Sequence, residues 1–187
     1  MKNKNLWIDI ALFNLIVVAL FGITLRSKIL FSMPFIDYPH LLNAHSHFAF
    51  GGWVTLVLMT LMIYKMLPDI FQQRKIYQWI LGGIVFTSWG MLLSFPFEGY
   101  GTVSSTFSTL FIFVTYVFGW MFIKDIRKTE ISNTVKLLSI SSVVCLLLSS
   151  LGPIALASFH FMKIFDSILY RDALFTYLHL QYNGFFT

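Results

Sequence analysis

The chain has 187 residues, which is one domain by length. Hydrophobic residues make up 57%, charged residues only 11%, and mean hydropathy is +0.76, whereas an ordinary soluble domain is about a quarter charged. This excludes a cytosolic enzyme, a disordered tail and a nucleic-acid binder. The net charge of +5 does not restore the last class, because the 13 basic residues sit in short clusters between apolar runs, as membrane topology places them.

In chain order, five runs are long enough for a bilayer crossing of roughly 20 residues: 6–25, 41–64, 77–95, 104–123 and 135–158. A sixth opens near Ala173 and reads LFTYLHLQYNGFFT. From Ala173 to Thr187 it would supply about 22 Å of helix for a hydrocarbon core about 30 Å thick. The expected fold is therefore an all-α polytopic transmembrane bundle of five full spans plus a sixth that is cut short. It forms a single helical domain over 1–187, as the N-terminal part of a longer chain. The opening MKNKN and its apolar run read as a retained anchor rather than a signal peptide. Asp9 and Asn14 interrupt the run, and the following TLRSKIL has no small-x-small cleavage site.

The connections are short, so successive helices should be antiparallel neighbours. Residues 69–75 and 124–136 read as loops at one face, and 94–101 (SFPFEGYG) as a tight loop at the other. Pro39 suits a first helical turn at the entry to the second span. Lys2, Lys4, Lys65, Arg74, Lys75, Lys124, Arg127, Lys128 and Lys136 fall on one side, and Arg26, Lys28, Lys163 and Arg171 on the other. Nine against four puts the N-terminus in the cytoplasm by the positive-inside rule, in a bacterial-type cytoplasmic (inner) membrane. Cys145 stands alone in an apolar stretch, with no CxxC or Cys/His zinc spacing.

The histidines carry the functional information. All five, His40, His45, His47, His160 and His179, fall toward the outer face in this topology. His45 lies on the second span and His179 on the sixth, at similar depth, where an imidazole is costly without a partner. Neutral imidazole is a common ligand of iron and copper, and haem takes axial histidines from bundle helices. In HSHFAFGGW, Ala49 and Gly52 follow His45 by four and seven residues, on its own face, and would leave room for a flat macrocycle. His47 points about 200° away round the helix, so the pair does not clasp one metal. The same small residues also suit plain helix packing, and both readings stay open on spacing alone.

The second span, LLNAHSHFAFGGWVTLVLMTLMIYKML, resembles helix II of subunit I of the heme-copper oxidase superfamily. The likeness is strongest to the C-type oxidases and the nitric oxide reductase large subunit. The resemblance implies that His45 is an axial ligand of a low-spin haem, with His47 in place of the family's Asn. The stretch TYLHLQYNGFFT is similar to helix VI of the same families, where a His near the outer end binds the active-site copper or non-haem iron. That position is His179 here.

Asn183 stands where the reductases have Glu, and the His-Pro-Glu-Val-Tyr stretch of A-type oxidases is absent. The family's further ligands, a His pair in helix VII and H-x-H in helix X, would lie beyond Thr187. The implied activity is reduction of O2 or NO at a haem–metal centre. Electrons would come from a donor protein or quinol, the partners being membrane lipid and other subunits or a missing C-terminal half. The alternative is a non-catalytic haem- or copper-binding membrane protein, a sensor or an assembly factor. A transporter is disfavoured because its polar sites would sit at mid-membrane. No span carries a carboxylate at mid-depth, so no carboxylate-based proton channel is expected.

Overall fold

The computed structural model describes residues 2–164 and 166–187. The described residues form an all-α protein without strands, and five helices are long and apolar enough to cross a membrane. The chain is thus an integral membrane protein by the length and composition of its helices. Backbone contacts group it into two compact units, Met1–Val114 and Thr115–Thr187.

In the first unit, α1 (Lys2–Leu30) is a 29-residue helix with apolar residues all round, as suits hydrocarbon on one side and protein on the other. The second span is one continuous helical rod in three parts: α2 (Tyr38–His47), a π-helical segment Phe48–Thr55, and α3 (Leu56–Met66). Asp37 caps α2, its carboxylate accepting the His40 N–H at 2.8 Å, and Pro39 sits in the first turn. Pro68 precedes the short α4 (Asp69–Gln72).

Helix α5 (Lys75–Glu98) carries Pro96 in its last turn and ends on Gly99, whose φ of 57° is open to glycine at low cost. The expected loop 94–101 is therefore mostly helix. Proline this late in a helix forfeits one bond to the preceding turn and disrupts nothing further, because Gly99 reverses the chain at once. Helix α6 is Thr102–Ile126, and the division between the units falls within it.

The core of the first unit gathers Val18, Ala44, Phe48, Met91, Leu92 and Phe95. Glycines bring the helices close. A Cβ on Gly51 would meet the Phe111 ring at 2.9 Å and Ser88 Oγ at 3.0 Å. At the far end of the spans, Trp7 Nε1 donates to Gln78 Oε1 (2.8 Å), and Gln78 Nε2 donates to the Tyr64 hydroxyl (2.7 Å).

In the second unit the fifth span is found where expected, over Asn133–Phe159, with a break that divides it into α7 (Asn133–Ser149) and α8 (Leu151–Phe161). They meet at Ser150, whose hydroxyl bonds back to the Leu147 carbonyl and to the Tyr116 hydroxyl. A serine that satisfies the preceding turn in this way loosens the helix ladder locally.

The segment expected as a sixth span forms α9 (Ser167–Leu180) and a π-helical turn, Gln181–Phe185. It is not among the five helices long and apolar enough to cross a membrane. Its α-helical part is 14 residues long and includes Arg171, Asp172 and His179. It also begins six residues before Ala173, because Asp166 caps it by accepting the N–H groups of Ile168 (2.8 Å) and Leu169 (3.1 Å). Asp125, in the last turn of α6, is fully buried, although the sequence places it on a loop flank.

Candidate functional site

His45 and His47 leave opposite sides of α2. The His45 ring packs on α1, where a Cβ on Gly22 would meet its Cε1 at 3.3 Å, and it lies beside the backbone of Val18. Its Nδ1 is buried and has no hydrogen-bond partner. A buried ring nitrogen left in this way costs about 1–3 kcal/mol relative to one that is satisfied.

His47 faces α5 instead. Its ring stacks on Phe95 (centroids 4.7 Å apart, planes at 12°) and meets Tyr100 edge-on at 6.0 Å. Its Nε2 shares a 3.2 Å hydrogen bond with the Tyr100 hydroxyl. His40, two turns earlier on the same side, packs against Gly99 and lies 3.8 Å from the Asp37 carboxylate.

The small residues after His45 do not open a slot. A Cβ on Gly52 would meet the Phe48 ring at 2.8 Å, and Ala49 packs on the cluster that Phe48 anchors. A π-helical segment winds more slowly per residue than an α-helix. The i, i+7 relation that sets Gly52 on the His45 face is therefore lost across Phe48–Thr55. Gly52 makes room for Phe48 and presents its carbonyl to the Asn14 amide, which donates to it at 2.6 Å. Asn14 Oδ1 in turn accepts from Trp89 Nε1 at 3.2 Å. This fully buried asparagine ties α1, the π-helical segment and α5 together. Ser88 Oγ, buried next to Gly51, has no partner.

In the second unit His179 is exposed near the end of α9. Its Nδ1 accepts from the Asn183 amide at 3.3 Å, one turn on. Gln181, between them, is 4% exposed and donates to Ser149 Oγ at 2.8 Å, while its Oε1 has no partner. Ser142 Oγ donates to the Phe185 carbonyl (3.3 Å), and Gly184 packs on Cys145. His160 lies in α8, and its side chain falls outside the described residues.

The described side chains form no group of three or more His, Cys, Asp or Glu able to hold a metal ion together. The residues present fit imidazole ligation at His45, by its buried and unclaimed nitrogen. They do not fit it at His47, whose ring is clamped by Phe95 and Tyr100. Gly22 and Tyr100, which define these two environments, escape sequence reasoning because both lie far from the histidines in the chain. The i, i+4 spacing of His179 and Asn183 is a contact that spacing alone could have found. No protein-family model, no curated protein and no solved structure matches the chain.

Proposed function

We propose that the protein is a haem-binding integral membrane protein similar to subunit I of the terminal oxidases and nitric oxide reductases. It sits in a bacterial-type cytoplasmic membrane with its N-terminus inside, and acts in electron transport to O2 or NO. The observation that carries the reading is the Nδ1 of His45, the one buried side-chain nitrogen or oxygen of its membrane helix without a hydrogen-bond partner among the described residues. Imidazole in an apolar interior is the nitrogen donor that haem iron takes, and the ligating residue is held by its outer neighbours. In this reading Gly22 admits the ring and the π-helical segment fixes where it leaves α2. His47, held by Tyr100 and Phe95 on the opposite side of the helix, does not ligate.

His179 supplies a ligand to a second metal, copper or non-haem iron, oriented by the Asn183 amide at its other nitrogen. The haem, when bound, supplies one-electron redox chemistry, and the protein sets its axial field, dielectric and access. The orientation rests on the nine-to-four distribution of basic residues.

The test is a reduced-minus-oxidised spectrum with metal analysis of the purified full chain. Haem bands with copper or non-haem iron are expected. A preparation from native membranes with neither haem nor copper removes the reading. Haem without consumption of O2 or NO transfers it to the non-catalytic class, a sensor or an assembly factor.

A further inference from the structure

Within the first unit, α5 and α6 leave a groove of about 430 Å³ between them. Its walls are Gly90, Leu93 and Phe97 of α5 and Val103 and Phe107 of α6, and Glu98 joins the lining eight residues after Gly90, about 12 Å along the helix. The Phe107 ring lies over Gly90 and meets Phe86 edge-on at 5.6 Å, which gives an aromatic floor. Leu93, Phe97 and Val103 are 61%, 86% and 52% exposed. Both helices are long and apolar enough to cross a membrane, so the groove opens to hydrocarbon and an alkyl chain suits its walls.

The Glu98 end has a different chemistry. Glu98 Oε1 accepts the Ser104 N–H at 2.5 Å. No ion pair joins Glu98 to a basic side chain among the described residues. One negative charge therefore stands where two membrane helices turn, at the mouth of an apolar channel. The occupant that satisfies both ends has an acyl chain and a head that ends in an ammonium with N–H donors. A charge-assisted N–H···O bond is about twice as strong as a neutral one. A primary ammonium offers three such donors and offsets the charge of its own phosphate, a trimethylammonium offers no donor, and a phosphoglycerol head has no positive charge to offset its phosphate.

We propose that this groove seats one acyl chain of a phospholipid with a primary ammonium head, phosphatidylethanolamine, whose ammonium lies on the Glu98 carboxylate. The haem reading is not needed for it.

Native mass spectrometry of the full chain is the test, with equimolar phosphatidylethanolamine, phosphatidylcholine and phosphatidylglycerol of identical oleoyl chains. The wild type is expected to retain the ethanolamine lipid about fivefold over the other two. Glu98→Gln keeps an acceptor for the Ser104 N–H and should reduce that preference to parity at an unchanged unfolding midpoint. Val103→Trp, which fills the groove from an exposed position, should cut retention of the ethanolamine lipid to the level of the others. Equal retention by the wild type, or a preference that survives in Glu98→Gln, overturns the proposal. If Glu98→Gln does not fold, Val103→Trp decides: an undiminished preference there overturns it equally.

Discussion

The second span and the segment from Ser167 to Phe185 repeat one local pattern and solve it differently. In each, an α-helix carrying a candidate histidine passes directly into π-helical backbone. His45 precedes Phe48 by three residues, and His179 precedes Gln181 by two. Such segments break the i→i−4 ladder, persist where neighbouring side chains hold them, and are frequent at functional sites. In the second span the histidine is turned inward without a partner for Nδ1, and Asn14 holds the π-helical backbone through the Gly52 carbonyl. Near the chain's end the histidine is turned outward and held by Asn183, and the buried group with an unclaimed atom is Gln181. The two regions thus differ in which buried polar atom is left unclaimed, a histidine nitrogen in one and a glutamine oxygen in the other.

The sharpest way to break this comparison is at the histidines. His45→Ala should abolish the low-spin haem bands and turnover, while His47→Ala should leave the bands in place. The reverse result in the reduced-minus-oxidised spectrum would transfer the ligand to the α5 side of the helix. His179→Ala should spare the low-spin bands and stop consumption of O2 or NO, and unchanged consumption would reject its role.

The next effect is on stability. Asn14→Leu strips the donor from the Gly52 carbonyl and the acceptor from Trp89, and should cost about 2 kcal/mol in detergent unfolding. A change below about 0.5 kcal/mol would show that the tie does not hold the π-helical segment. The smallest effect belongs to Gln181→Met. It removes an acceptor that nothing satisfies and leaves Ser149 its own bond to the Leu146 carbonyl. Its unfolding free energy should stay within about 1 kcal/mol of the wild type, on the stabilising side.

The membrane helices were legible because their stability in lipid depends on summed apolarity, which composition reports directly. The sequence reading misses helix ends by a few residues where polar caps do the work. Asp166 starts α9 early, and Gly99 lets α5 run through Pro96. The two π-helical segments were not legible at all. Their hydrogen-bond register depends on what touches Gly51, Gly52 and Gly184 from helices remote in sequence, such as Phe111, Asn14 and Cys145. For the same reason His45 and His47 could be separated onto two faces by the helical repeat, while the meaning of each face could not be read. Gly22 receives one ring and Tyr100 the other. The room expected at Gly52 was an α-helical extrapolation across backbone that is not α-helical.

The Asn14 tie bears on how the molecule is made. Its two partners lie 38 and 75 residues further along the chain. At about 5–20 residues per second of synthesis, Trp89 emerges about 4–15 s after Asn14. Until Gly52 emerges both hydrogen-bonding ends of the Asn14 amide are unclaimed by the protein, and from then until Trp89 emerges its oxygen still is. An unmet polar group is unwelcome in hydrocarbon, so α1 gains its full lipid solubility only when the third helix arrives. The first three membrane spans are therefore expected to gain their full hydrogen bonding together, with the asparagine serving as the clasp.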